Sequence, residues 1–232
     1  MKNEKLNKTI SERLEEGRSY RKARPFEVRQ QDDGRKEVTG YATTFNEPYE
    51  LFHYDNWEGY RVRILEQVDP EAFEQCDMTD TIMQYNHEGR VFARVSNGTL
   101  KIRTDQHGLF VEADLSGTEI GRQLYEEIRD GYTNRMSFGF TITKDKREEE
   151  RDEDNKTITV TRTITKIGKL YDVSAVSIPA NDGTEISARS WCDGVIAELA
   201  EEFREAEEIK DRKTRLRILT EVMQNELQRN DN

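Results

Sequence analysis

The chain has 232 residues and a net charge of -11, with 34% hydrophobic and 36% charged residues. This length suits one sizeable core with flanking segments better than two enzymatic domains. The acidic balance argues against broad binding to DNA or anionic lipid, because neutralising phosphates requires a basic surface. No apolar run reaches signal-peptide or membrane-span length, so we expect a cytoplasmic protein without nucleic acid or membrane partners.

The two cysteines, Cys76 and Cys192, lie far apart and have no Cys-x-x-Cys or Cys/His spacing. Disulfide frameworks and structural zinc sites are recognised in a sequence by such spacing. We therefore expect two ordinary reduced thiols and no metal site.

Residues 1–24 are rich in Lys, Arg and Glu, with few apolar positions among them. This composition buries too little apolar surface to fold alone, so it predicts a mobile or marginally helical arm. The pattern changes at Glu37, after which Val38, Tyr41 and Phe45 predict a first strand. We expect one folded domain over residues 25–190.

Further short apolar runs predict several antiparallel strands, at residues 61–68, 81–85, 99–103 and 108–115. Turn signals such as Asp69-Pro70 separate these runs. In the last run, Leu109, Val111 and Ala113 alternate with Phe110 and two acidic residues, which is the two-residue period of a strand with one buried face.

A helix is predicted directly after these strands. Ser116 and Glu119 have the spacing of a capping box at its start, and Gly131 can take the left-handed conformation that ends it. The apolar residues of one helix face are Ile120, Leu124 and Ile128. We expect this face to pack on the sheet.

A long hairpin is predicted next, because apolar residues alternate over residues 136–143 and 157–167. The segment 144–156 between them is almost entirely charged, so it is predicted to be a solvated loop. A final strand covers residues 170–178, and the Pro-Ala-Asn sequence at 179–181 ends it.

Residues 191–232 form the predicted amphipathic helical tail. Apolar residues recur over 195–227 at steps of three and four, which is the period of a helix face. Two roles remain open for this tail. It can fold back on the domain, or it can form a coiled-coil contact with a partner or scaffold.

Three histidines limit the choice of a general base, which a hydrolase needs beside its nucleophile and its oxyanion donors. His107 precedes a glycine in a predicted turn, as is typical of a surface residue. His53 lies among aromatic residues, where a packed loop side chain and a substrate-contact residue both fit. His87 follows the apolar run 82–86, which should place it at the rigid end of a core strand.

Ser137 is a small hydroxyl residue between Met136 and Phe138, just beyond the predicted helix. Gly139 would let another backbone or a bound peptide approach closely. Taken alone, a strand-end histidine and a strand serine are more often structural than catalytic, so these patterns do not by themselves assign a reaction.

Five short motifs occur in an order that resembles a known family. They are Gly40-Tyr-Ala, Asp69-Pro-Glu-Ala-Phe73, Asn86-His87-Glu, Met136-Ser137-Phe-Gly-Phe140 and Asp172-Val-Ser-Ala-Val-Ser-Ile-Pro-Ala-Asn181. In this order they resemble the successive motifs of tailed-phage prohead maturation proteases. That family of serine proteases is related in fold to the herpesvirus capsid-maturation protease, or assemblin. The resemblance spans residues 38–190.

The resemblance implies a mainly β fold with helices (α+β), in the form of a closed antiparallel β-barrel of the herpesvirus-protease type with a helical C-terminal tail. It also implies catalysis without a metal or cofactor. Ser137 would attack a peptide carbonyl while His87 takes its proton, and water would later hydrolyse the acyl-enzyme. We therefore expect these two side chains within hydrogen-bonding range at an accessible groove.

The resemblance also suggests a third catalytic residue. Asp172, at the start of the last core strand, matches a family position where an acidic residue is common, and it would hold the imidazole tautomer. Glu88 is the alternative, although a sequence neighbour on a strand usually points to the opposite face. Backbone N–H groups would supply the oxyanion hole, with the turn at 179–181 as a candidate.

A protease of this family would work inside the assembling prohead, in the host cytoplasm. It would cleave the scaffold or the scaffold-like arm of the major capsid protein, and also itself, while homo-oligomerisation is left open. The alternative is a non-enzymatic capsid scaffolding or assembly factor. An esterase is disfavoured because no Gly-x-Ser-x-Gly elbow surrounds Ser137.

Overall fold

The computed structural model describes residues 18–25, 27–30, 34–176 and 183–230. The chain divides into two compact units, Met1–Ala188 and Arg189–Asn232. All described strands lie in the first unit, and the described part of the second unit belongs to a single helix. The boundary that the sequence predicts lies slightly later, after residue 190.

The described residues form eleven strands and two α-helices. The strands are β1 (Arg18–Pro25), β2 (Glu27–Gln30), β3 (Lys36–Thr44), β4 (Tyr49–Asp55), β5 (Arg61–Val68), β6 (Ile82–Tyr85), β7 (Glu88–Arg94), β8 (Leu100–Thr104), β9 (Gly108–Asp114), β10 (Arg135–Asp152) and β11 (Thr157–Val176). Helix α1 (Glu119–Arg129) lies between β9 and β10, and helix α2 (Gly183–Asn230) follows β11. Two short 3-10 helices, Pro70–Phe73 and Val95–Asn97, lie between strands.

The strands are arranged in two sheets. The larger sheet has seven strands in the order β1-β10-β11-β5-β4, with β6 beside β11 and β7 beside β6. The smaller sheet has four strands in the order β2-β3-β9-β8, and its neighbours are antiparallel. The mainly β fold with helices is therefore confirmed.

Strand β11 makes the larger sheet mixed: most strand pairs are antiparallel, as the resemblance implies, but β11 pairs in parallel with β5 and β6. Its 20 residues are long enough for two short strands to pair along one edge. Strand β5 pairs in parallel with residues 157–164, and β6 pairs in parallel with residues 172–175. Among the described strands neither sheet closes on itself, and the closed barrel stays a prediction.

One hydrophobic core joins both sheets and α1. In β9, Leu109, Val111 and Ala113 are buried, as their two-residue period predicts. Leu124 and Ile128 on the buried face of α1 belong to the same cluster. Removal of this apolar surface from water is the main force that holds the helix and the sheets together.

The capping box predicted at Ser116 is wrong. Thr118 is the N-cap of α1, and its Oγ1 accepts a hydrogen bond from Gly121 N at 3.0 Å. Ser116 Oγ instead accepts a hydrogen bond from Lys36 N at 2.8 Å, which ties the segment before the helix to β3. Both residues carry a hydroxyl, and only the fold decides which one faces the helix N-terminus. Gly131 has a φ of 82°, which confirms the left-handed residue after the helix.

The charged segment 144–156, predicted to be a loop, is mostly strand. Strand β10 runs to Asp152, and only four residues form the turn before β11. Alternation along the strand places Arg147, Glu149 and Arg151 on one face. The Glu149 carboxylate lies 3.3 Å from the Arg147 guanidinium and 2.8 Å from that of Arg151. Such neighbouring opposite charges let a very polar sequence form a solvated hairpin.

The strands predicted at 157–167 and 170–178 are one continuous strand, β11, and residues 177–178 lie outside the described residues. Gly168 lies at their junction, where the pairing with β10 is irregular. A Cβ at this position would lie 2.8 Å from Thr143 Cγ2. The glycine therefore allows a close strand approach and does not end the strand.

The ends of the chain are described in part. Residues 18–24 of the predicted N-terminal arm lie in β1 and pair with β10, while the earlier residues lie outside the described part. Most of the predicted tail lies in α2, whose buried side chains include Val195, Leu199 and Phe203. None of the described helices is long and apolar enough to cross a membrane.

Candidate active site

Ser137 lies on β10 within a segment, residues 136–140, that is buried on both faces. Its partner across the antiparallel pairing with β11 is Ser174, and Gly139 is paired with Asp172. Asp172 and Ser174 are two positions apart on one strand, so their side chains point to the same face. The pairing of β10 and β11 thus brings a carboxylate and a second hydroxyl close to Ser137.

His87 lies in the two-residue turn between β6 and β7. Asn86 and His87 have φ angles of 48° and 61°, and Tyr85 pairs with Glu88 across the turn. Positive φ at both central residues is typical of a type I′ turn, whose twist fits a β-hairpin. Asn86 N donates to Ala175 O at 2.9 Å, which holds this turn against β11.

The three side chains predicted from the resemblance form a chain of hydrogen bonds. His87 Nε2 lies 2.7 Å from Ser137 Oγ, and His87 Nδ1 lies 2.5 Å from Asp172 Oδ1. The exposed fractions are 0% for Ser137 and 2% for both His87 and Asp172. The expected contact is therefore present, but the side chains are enclosed. The expectation of an accessible groove around them is wrong for this conformation.

The chemistry of the three groups sets the direction of each hydrogen bond. An ionised carboxylate can only accept, so His87 Nδ1–H donates to Asp172. The other ring nitrogen then carries a lone pair and accepts from the Ser137 hydroxyl. An imidazole held in this way can remove the serine proton, and the carboxylate can stabilise the imidazolium that results.

Ser174 is a residue of this site that sequence reasoning missed. Its Oγ donates to Asp172 Oδ1 at 2.6 Å, and the side chain is fully buried. The available signal is the Asp-Val-Ser spacing, which puts positions 172 and 174 on one face of a strand. That signal becomes informative only when the contact between Asp172 and His87 is known.

The alternative partner for the imidazole, Glu88, is exposed at the start of β7. The carboxylate that lies at His87 Nδ1 belongs to Asp172. The suggested oxyanion turn at 179–181 lies outside the described residues.

The other two histidines lie apart from these contacts. His53 is exposed on β4, and its Nδ1 lies 2.6 Å from Glu50 Oε1. His107 is exposed, as predicted, and its ring centroid lies 4.5 Å from that of Tyr41. In the ranges that the structure describes, no group of three or more His, Cys, Asp or Glu side chains is arranged to hold a metal ion.

The two cysteines are poor candidates for a nucleophile. Neither cysteine forms a disulfide, and Cys192 is buried. Burial raises the pKa of the Cys76 thiol to about 11. Since the thiolate is the reactive form, Cys76 is almost entirely unreactive at neutral pH.

A family model described as caudovirus prohead serine protease matches residues 24–194. The match covers well over half of the chain and includes His87, Ser137 and Asp172. The chain belongs to the caudovirus prohead serine protease family. The family inferred from the five motifs is therefore confirmed, and with it the assignment to the phage hydrolases of prohead maturation.

The prohead serine protease match contains the whole candidate site, whereas most of β1 and most of α2 lie outside it. No curated protein and no solved structure gives a significant match. The relation in fold to assemblin stays a prediction.

Proposed function

We propose that this protein is a serine endopeptidase with Ser137 as nucleophile, His87 as general base and Asp172 as the residue that orients the imidazole. One observation carries the proposal. A continuous chain of hydrogen bonds runs from the Ser137 hydroxyl through His87 to Asp172, at 2.7 and 2.5 Å. Serine proteases on unrelated folds share a hydroxyl, an imidazole and a carboxylate in this order. Membership of a prohead serine protease family supports the same assignment.

The proposed reaction has two halves that use the same residues. Ser137 Oγ attacks the peptide carbonyl while His87 Nε2 takes its proton, and the imidazolium then protonates the leaving amine to give an acyl-enzyme. A water molecule that loses its proton to His87 then hydrolyses the ester and frees Ser137. Asp172 stays ionised, and its charge stabilises the imidazolium. These steps require neither a metal nor a cofactor.

The proposed substrates are the scaffold or the scaffold-like arm of the major capsid protein, and the protease itself. The reaction takes place inside the assembling prohead, in the host cytoplasm. Both ends of the chain are rich in charged residues, and terminal segments enter a protease site more readily than packed strands do. Self-cleavage is therefore proposed at these ends.

The burial of the site requires a step before catalysis. Ser137 is 0% exposed, so a peptide carbonyl can meet its Oγ only after neighbouring residues move. We propose that the free protein is a slow enzyme, and that assembly with scaffold or with a second copy of the chain opens the site.

Co-expression with the capsid protein and scaffold of the same phage tests the proposal by intact mass. The wild type should shorten one of these proteins and itself, whereas Ser137→Ala should leave every mass unchanged. Ser96→Ala is the matched control, because it removes an exposed serine hydroxyl from the 3-10 helix Val95–Asn97 and should process normally. Processing by Ser137→Ala at the wild-type rate would refute the proposal.

A non-enzymatic assembly factor is the alternative, and the burial of Ser137 favours it. On that hypothesis the hydrogen-bonded side chains serve folding alone. The variant His87→Ala separates the two, with thermal unfolding as the check that it is folded. Processing stops in this variant if His87 is the base, and it continues at the wild-type rate if the protein only assists assembly.

A further inference from the structure

Two hydrogen bonds converge on one oxygen of Asp172. His87 Nδ1 lies 2.5 Å from Oδ1, and Ser174 Oγ donates to the same Oδ1 at 2.6 Å. We propose that Ser174 is a positioning residue of the protease, which acts through Asp172 and holds its carboxylate in the orientation that His87 needs. This inference rests on the proposed function of His87, Ser137 and Asp172.

The geometry of an aspartate explains why a second donor matters. The terminal torsion of the side chain has broad, roughly two-fold preferences, so one hydrogen bond leaves the carboxylate plane poorly defined. A second donor on the same oxygen restricts that rotation. Asp172 and Ser174 also share a face of β11, which is paired with β10 on one side and with β6 on the other. Both groups are thus attached to backbone that cannot shift without breaking two strand pairings.

The chemistry of Ser174 suits a buried carboxylate that must act on an imidazole. Asp172 is 2% exposed, and a buried charge needs hydrogen bonds to replace lost water. A lysine or arginine would supply them, but its positive charge would compete with the imidazolium for the same carboxylate. A neutral hydroxyl compensates for burial and leaves the negative charge available to His87.

The strand pairing gives Ser174 and Ser137 different partners. They face each other across β10 and β11, and both are 0% exposed. The Ser174 hydroxyl donates to Asp172, while the Ser137 oxygen lies at His87 Nε2. We therefore assign the two neighbouring serines to opposite ends of one hydrogen-bonded chain, one as support and one as nucleophile.

Rates of capsid protein processing on co-expression test the assignment. Ser174→Ala should slow processing about tenfold. This factor corresponds to the lower end of the free energy that is lost with a hydrogen bond to a charged group. Ser174→Thr keeps the hydroxyl and should restore the rate to within about threefold of the wild type. Thr163→Val is the matched control, because it removes a buried hydroxyl elsewhere on β11 and should process normally.

Fluorophosphonate labelling of the protease within assembled proheads, where the site is proposed to be open, separates positioning from a general structural effect. Ser174→Ala should lower the maximal labelling rate about tenfold and leave the probe concentration at half-maximal rate unchanged, because probe binding does not involve Asp172.

Urea unfolding in a Ser137→Ala background gives a measurement that does not depend on catalytic activity. There, Ser174→Ala should lower the midpoint when Asp172 is present, and should have no further effect in an Asp172→Ala protein.

Wild-type processing and labelling rates in Ser174→Ala, or fully additive effects of the two substitutions on the urea midpoint, would overturn the role of Ser174. Failure of the proposed function has a different signature, because Ser137→Ala would then process capsid protein as well as the wild type does.

Discussion

His87 has a backbone conformation that few histidines adopt. Its φ of 61° crowds the Cβ against the backbone, which costs free energy in a residue other than glycine. Hydrogen bonds at both ring nitrogens, to Asp172 and Ser137, offset this cost. The strained turn and the proposed catalytic contacts therefore stabilise each other, and substitutions at the partners should affect the position of the imidazole.

Asp172→Asn is predicted to lower the rate of capsid protein processing by about a thousandfold to ten-thousandfold. The amide can donate to His87 Nδ1, which would leave the proton on Nε2 and prevent it from accepting the serine proton. Pulse-chase measurement on co-expression gives the rate. Asp80→Asn, a change at an exposed carboxylate, is the control and should process normally. A rate within about threefold of the wild type would exclude Asp172 from catalysis.

Strand β11 organises both the candidate site and the charged hairpin. Near one end it carries Asp172, and in its first half it carries Arg162. The Arg162 guanidinium lies 2.5 Å from Asp145 of β10 and 3.4 Å from Glu66 of β5. Glu66 is 0% exposed, and the Tyr49 hydroxyl of β4 donates to it. Polar contacts thus link four adjacent strands of the larger sheet.

Arg162→Ala is predicted to lower the free energy of unfolding by about 3 kcal/mol, because it leaves Glu66 buried without its cation. Urea unfolding in a Ser137→Ala background measures this without self-cleavage. Arg61→Ala is the matched control, since its partner Asp55 and Arg61 itself are both exposed, and it should cost less than about 1 kcal/mol. Equal costs for the two variants would show that burial of Glu66 does not matter.

At the scale of the whole molecule, the family match and the division into units both place most of α2 outside the part of the chain that carries the candidate site. The match ends at residue 194, and the second unit begins at Arg189. In α2 the last described buried side chain is Phe203, and residues 204–217 are all exposed. A helix that is exposed over this length gains little from packing within the chain, so its proposed role is to hold the protease to scaffold.

A protein that ends at residue 203 is predicted to fold normally but to enter proheads at less than about a tenth of the wild-type amount. It keeps the buried side chains described in α2, and residues 204–217, the described side chains directly after the cut, are all exposed, so its unfolding midpoint should change little. Quantitative immunoblotting of purified proheads measures incorporation. Arg215→Ala, which removes one exposed charge from the intact helix, is the control. Normal incorporation of the shortened protein would disprove the role of the tail.

Much of the fold can be predicted from local patterns. The alternation of Leu109, Val111 and Ala113 determines which face of β9 is buried, because successive side chains of a strand point to opposite faces. The order of the five motifs identified the family and singled out His87 and Ser137. These features depend on residues close together in the chain, or on the order of motifs, which can be recognised without knowing which residues are in contact.

Only the tertiary structure decided which groups meet. It brought Asp172 rather than Glu88 to His87, added Ser174 to the site, and paired β11 in parallel with two separate strands. It also extended the hairpin through a charged segment that composition alone assigned to a loop. The reason is physical. Strand neighbours and hydrogen-bond partners are chosen by the free energy of contacts between distant parts of the chain, and local composition does not contain that information.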